Sequence, residues 1–192
     1  MRQARISRNT LETKIELSLN LDGSREIEVD TGVGFFDHML RAMAFYAGFD
    51  LDVKCEGDLY VDSHHTLEDI GLSMGAAFKE ALGDKKGIRR FSSTITPMDE
   101  SLALVAIDIS NRAFLVENLS FSSDRIGTMD TQDFKEFFRA FAFSAGITLH
   151  IDLMRGENDH HKIEAVFKGL GRALREAVTI EDSGVISTKG VL

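Results

Sequence analysis

The sequence predicts an α+β fold made of two similar halves, and three observations carry that prediction. The pentad His64-His65-Thr66-Leu67-Glu68 returns as His160-His161-Lys162-Ile163-Glu164, using four of the six histidines in the 192-residue chain. The run Arg41 to Gly48 matches Arg139 to Gly146 at six of eight positions. Stretches that alternate apolar and polar residues, the period of a half-buried strand, precede both sets of helical patterns. Self-similarity on this scale marks an internal duplication. Each half reads β-β-α-β-α, with amphipathic helices laid on one face of a small sheet.

In the first half, Lys14 to Leu21 alternates with Ile15, Leu17, Leu19 and Leu21 on one face. Asp22-Gly23 is a hairpin signal, and Arg25 to Val29 supplies the returning strand. Two glycines in Thr31-Gly32-Val33-Gly34 permit a tight approach to a helix over roughly 37–47, which Gly48 ends. Leu51 to Cys55 is a strand. Asp62 or Ser63 then caps a helix that carries the first pentad and stops at Gly83. The second half repeats the order. Ser101 to Ile109 and Ala113 to Leu119 are strands, and a helix over about 131–145 ends at Gly146. Thr148 to Met154 is the next strand, and Asn158 or Asp159 caps a long helix to about Val178. The division falls at 1–95 and 96–192, within one compact subunit, and the tail from Ile180 to Leu192 is too short to fold alone.

Composition narrows the function. A net charge of −9 argues against a nucleic-acid binder, whose footprint would be basic. Cys55 is the only cysteine, which excludes a disulfide framework and a thiolate metal site. Neither a signal-peptide run nor an 18-residue apolar span is present, so a cytoplasmic protein without membrane contact is expected.

The pentads carry the chemistry. On a helix, His64 and Glu68 share a face while His65 lies about 100° round the axis. Each pentad therefore offers an imidazole and a carboxylate to one metal and a second imidazole to another. The duplication makes His64, His65 and Glu68 equivalent to His160, His161 and Glu164, and His38 equivalent to Glu136. The expected grouping is His38, His64, Glu68 and His161 around one ion, and Glu136, His160, Glu164 and His65 around the other. Four protein ligands on an octahedral ion leave two positions open, as catalysis requires. Mn, Fe, Co, Ni or Zn would each suit such donors. His150 stands outside this symmetry, as a strand residue at the position matching Asp52. Asp37 either orients His38 or caps its helix.

With these residues laid out, the chain resembles the imidazoleglycerol-phosphate dehydratase family along its whole length. The matching motifs are Arg8 to Thr13, Gly32 to Leu40, Asp62 to Asp69, Met98-Asp99-Glu100, Arg125-Ile126-Gly127, Gly156 to Glu164 and Ser187 to Gly190. The resemblance implies a ribosomal protein S5 domain 2-like subunit and two Mn²⁺ ions per active site. It also implies a homo-oligomer, a 24-mer, with sites at subunit interfaces. The implied reaction dehydrates D-erythro-imidazoleglycerol phosphate to imidazoleacetol phosphate in histidine biosynthesis, through a metal-favoured imidazolate and a diazafulvene-like intermediate. By the same resemblance Glu12 transfers the proton, and Arg90, Arg112, Lys168, Ser187 and Lys189 clamp the phosphate. The chain departs from the family in Glu136, where many relatives carry His, in Asn111-Arg112-Ala113 and in Ile186. A ferritin-like di-metal oxidase fits poorly, because strands alternate with helices and the motif is His-His-x-x-Glu. A metal-stapled shell protein would need the ligands but not the phosphate clamp.

Overall fold

A computed structural model of the chain describes residues 2–181 and 184–190, so part of the predicted C-terminal tail lies outside the described residues. Among the described residues, two four-stranded sheets enclose four helices. The first sheet contains β1 (Gln3–Asn9), β2 (Thr13–Asn20), β3 (Ile27–Asp30) and β4 (Asp50–Gly57), in the order β1-β2-β4-β3. The second contains β5 (Phe91–Met98), β6 (Ser101–Asp108), β7 (Phe114–Asn118) and β10 (Thr148–Arg155), in the order β5-β6-β10-β7. The helices are α1 (Gly34–Ala47), α2 (His64–Leu82), α3 (Asp133–Ala145) and α4 (Asp159–Ala177). A small ribbon of β8 (Arg125–Ile126) and β9 (Met129–Asp130) precedes α3.

Each half is therefore β-β-β-α-β-α, one strand more than the sequence predicts. The extra strands, β1 and β5, are edge strands whose composition hides them. Only Ala4 of β1 is buried, and β5 buries Thr94 and Thr96 in place of aliphatic residues. Pro97 is tolerated in β5 because an edge strand can spare an N–H. The expected hairpin at Asp22-Gly23 is also corrected. β2 does not pair with β3, since β4 lies between them, antiparallel to β2 and parallel to β3. Asp50 explains the diversion: its Oδ1 accepts the N–H groups of Ser24 at 2.6 Å and Glu26 at 2.9 Å. The loop is thereby tied to the start of β4, and α1 becomes the crossover of a parallel unit.

The strands alternate as their sequence demands. Ile15, Leu17 and Leu19 of β2, with Leu51 and Val53 of β4, face the helices. Helix ends follow the glycines, with Gly48 and Gly146 left-handed at φ 74° and 70°. Between the sheets, α1 packs on α4 and α2 on α3. Phe36 of α1, Phe137 and Phe141 of α3, and Phe167 of α4 share this interior, with Phe137 stacked on Phe167 at 5.6 Å between centroids. Glycine lets the helices approach. A Cβ on Gly75 would lie 2.7 Å from the Phe141 carbonyl oxygen, and one on Gly171 would meet that of Met43. This crossed pairing brings the two halves' ligands together. No helix among the described residues is long and apolar enough to cross a membrane.

Candidate metal centre and anion site

His38 projects from the first turns of α1, and His160 and Glu164 sit one turn apart on α4. One donor atom from each lies within 4.8 Å of the others. Glu164 Oε2 is 3.2 Å from His160 Nε2 and 3.8 Å from His38 Nε2. Two imidazoles and a carboxylate at such spacing fit a divalent transition ion. Lys168, one turn further along α4, holds the other carboxylate oxygen at 2.8 Å. Burial pushes the Glu164 carboxyl up, but Lys168, His38 and His160 outweigh it and hold the group below its usual range. Phe35 closes one side, its ring edge-on to His160 at 4.9 Å.

The expected grouping is thus corrected. His38 joins His160 and Glu164 of the other half, because α1 lies on α4. By the same exchange Glu136 of α3 lies near Glu68 of α2. This second set is more open: His64 Nε2 and Glu68 Oε2 are 4.0 Å apart. Arg139 Nη2 lies 2.5 Å from Glu136 Oε2 and 3.6 Å from Glu68 Oε1. Asp133, buried, faces His64 Nδ1 at 3.7 Å while its other oxygen accepts the Ser63 hydroxyl at 2.5 Å. Burial pushes the Asp133 carboxyl up against these two partners.

The remaining pentad histidines turn away from both sets. His65 Nδ1 lies 3.0 Å from Asp58 Oδ2, and His161 Nδ1 lies 2.8 Å from Glu100 Oε2. Each carboxylate raises its imidazole above the ordinary histidine range. Glu100 itself is held well below its range by the Asn158 N–H and then by His161. Asp58 and Glu100 orient their rings and fix which nitrogen faces outward. The sequence reading gave neither this role. Asp58 lies seven residues before its ring, but Glu100 is 61 residues from His161, so no sequence spacing marks both. Within one chain, His65 and His161 therefore complete neither set.

Glu12 stands on the exposed turn between β1 and β2, with Oε1 3.6 Å from His65 Nε2. Its N–H donates to Thr10 Oγ1 at 3.1 Å, and its carbonyl accepts from Asp58 N–H at 3.0 Å, so the turn is pinned beside the pentad. Asp37 neither caps α1 by side chain nor faces His38. Its Oδ1 accepts the Thr31 N–H at 2.9 Å and the Thr31 hydroxyl at 2.5 Å, bracing the glycine-rich lead-in. His150 is exposed on the outer face of the second sheet, between Ala106 and Val116, apart from both sets.

Of the five residues expected at a phosphate, four gather at one end of the second sheet. Arg90 is 8% exposed, with Nε 2.7 Å from Asp108 Oδ1 and Nη1 donating to the Ile186 carbonyl at 2.7 Å. Arg112 donates to Asp108 Oδ2 at 3.0 Å, and its side chain is 63% exposed. The tail leaves Ile186 in a turn where Ser187 Oγ accepts the Lys189 N–H at 3.2 Å. Arg90 thus anchors the tail, while Arg112 and Lys189 remain accessible cations. Lys168 lies elsewhere, in a shallow groove of about 370 Å³ shared with His38, Arg41, Tyr46 and Glu164.

Comparison with known proteins places this geometry. A family model described as imidazoleglycerol-phosphate dehydratase matches residues 31–174. The chain is 59% identical to a protein of that name from Clostridioides difficile, and the match spans the full length of both chains. A second, from Streptococcus thermophilus, is 53% identical, again over the full length of both. Among solved structures, imidazoleglycerol-phosphate dehydratase of Staphylococcus aureus superposes with a TM-score of 0.85 at 41% identity, covering 93% of this chain and 99% of that one. The Pyrococcus furiosus enzyme gives 0.85 at 40% identity, covering 97% and 100%.

Proposed function

The chain belongs to the imidazoleglycerol-phosphate dehydratase family, hydro-lyases of histidine biosynthesis, and we propose that it converts D-erythro-imidazoleglycerol phosphate to imidazoleacetol phosphate with two Mn²⁺ ions per active site. The observation that carries this reading is the convergence of His38, His160 and Glu164 from both halves. They hold one ion, and His64, Glu68 and Glu136 hold the second. His65 and His161, facing outward, complete sets on neighbouring copies of the chain. Bound Mn²⁺ supplies Lewis-acid polarisation of the imidazole ring and the departing hydroxyl.

The chain's own groups do the rest. Arg112, Lys189 and Ser187 bind the phosphate, with two cationic donors and a hydroxyl suited to its oxygens. Arg90 keeps the tail in place for them. Glu12 accepts the proton from the substrate carbon. The C–O bond breaks with its electron pair going to the hydroxyl, which takes a proton and leaves as water. The enol that results tautomerises to the ketone. Lys168, fixed on Glu164 of its own chain, joins the phosphate clamp where the site is built from neighbouring copies.

The proposed assembly, a cytoplasmic homo-oligomer of 24 copies, has support in the two sheets' outer faces. The first is polar, with Arg5, Lys14, Glu16, Lys54 and Glu56 exposed. The second presents exposed Phe91, Ile95, Phe114, Val116 and Met154, an apolar surface that suits contact with another copy. The deciding experiment is turnover of imidazoleglycerol phosphate by chelator-treated protein with and without added Mn²⁺. Product only with Mn²⁺ is expected. None from a folded, metal-loaded sample would instead favour a metal-stapled shell.

A further inference from the structure

The two ligand sets are equivalent by duplication yet differ in one respect. Where the first offers the imidazole of His38, the second offers the carboxylate of Glu136. The arginines that follow, three residues on in each helix, behave accordingly. Arg41 has no carboxylate beside it from His38, and it donates to the Val29 carbonyl of β3. Arg139 swings onto Glu136 and also approaches Glu68. In the first set the cation Lys168 grips only Glu164 Oε1 and leaves Oε2 facing both histidines. In the second, Arg139 sits on the Glu136 oxygen itself.

We propose that Arg139 is an internal competitor for the second metal, so that the two ions bind with unequal affinity and the His38 set fills first. The inference rests on the di-metal reading above. A divalent ion and a guanidinium cannot both be neutralised by the same two carboxylates. Seating the ion on Glu136 Oε2 therefore requires Arg139 to leave, against an attraction that imidazole would not provide. Removing the cation acts in one direction only, because it frees the carboxylate and also removes charge repulsion towards the ion.

The test is a calorimetric titration of the full-length, chelator-stripped protein with Mn²⁺, with bound metal per chain counted by atomic emission. Wild type is expected to bind in two resolved steps. Arg139→Gln is expected to tighten the weaker step by roughly fivefold, the scale of a partly exposed ion pair, and to leave the tighter step unchanged. Glu136→His removes the anion that Arg139 grips and is expected to narrow the gap between the steps. It keeps the proposal falsifiable if Arg139→Gln does not fold. An unchanged or weakened second step in folded Arg139→Gln, or a single step of equal sites in wild type, overturns the inference alone. No Mn²⁺ bound by wild type overturns the di-metal reading with it.

Discussion

Asp159 shows how much one buried carboxylate can organise. It accepts the N–H groups of Ser122 and Ser123, the Ser122 hydroxyl and the Lys162 ammonium, the last at 2.8 Å. Burial works against the charge, yet these donors prevail and hold its carboxyl at about 2. A folded value below the unfolded one, about 3.9, means stability that is present above pH ~4 and lost as pH falls from there towards 2. Asp159→Ala should cost about 3 kcal/mol, because it leaves Lys162 buried and unpaired. Denaturant melts at pH 7 and pH 3 check this, and the variant should lose less than wild type between them. At the metal set, Glu164→Gln should remove about one Mn²⁺ per chain, read by atomic emission, while leaving the fold intact. Arg112→Ala and Lys189→Ala should raise KM for the phosphate substrate at least tenfold with metal content unchanged, since each removes a charge-assisted contact of about 1.5–3 kcal/mol. Unaltered KM in both would remove the phosphate role from this end of the sheet. The ligating residue types were legible because histidine is rare and the pentad repeats. Asp58, Glu100 and Asp133 were not, because an acidic residue in a loop or first turn has no pattern until the ring it faces is placed.

At the scale of helices and strands, the decisive feature is which helix crosses which. Sequence periodicity identified all four helices and the glycine stops of three, and it gave the strands whose aliphatic residues alternate. It did not reveal that α1 lies on α4, because that choice depends on backbone-to-backbone approach. Gly71 and Gly75 of α2 meet the carbonyls of Phe137 and Phe141, and Gly171 of α4 meets that of Met43. In the sequence nothing marks these three glycines as points of close approach. Gly171→Ala and Gly75→Ala should each cost roughly 1–3 kcal/mol by forcing the helices apart. Gly171→Ala should also weaken Mn²⁺ binding at the His38 set, whereas Gly75→Ala should spare that set. Calorimetry on the two variants separates the effects. The misread hairpin has a similar origin. Asp22-Gly23 does turn the chain, but Asp50, far along the sequence, decides where the next strand goes.

For the molecule as a whole, the outer face of the second sheet carries the clearest consequence of the proposed assembly. Phe114→Asp with Ile95→Asp should reduce particle size in sedimentation, as desolvating paired carboxylates at an apolar contact is costly. Chelation should do the same if His65 and His161 bind ions held by neighbours, and Mn²⁺ should restore the larger species. An unchanged size in both experiments would locate the contact elsewhere. Neither half of the chain closes a ligand set by itself: α1 needs the α4 of the other half, and α3 needs α2. That crossed arrangement is what a homodimer leaves behind when its gene duplicates and the two copies fuse. An ancestral half with one pentad would have made two identical sites by exchanging helices with a twin. Once joined, the copies were free to diverge, and the His38–Glu136 difference records that freedom.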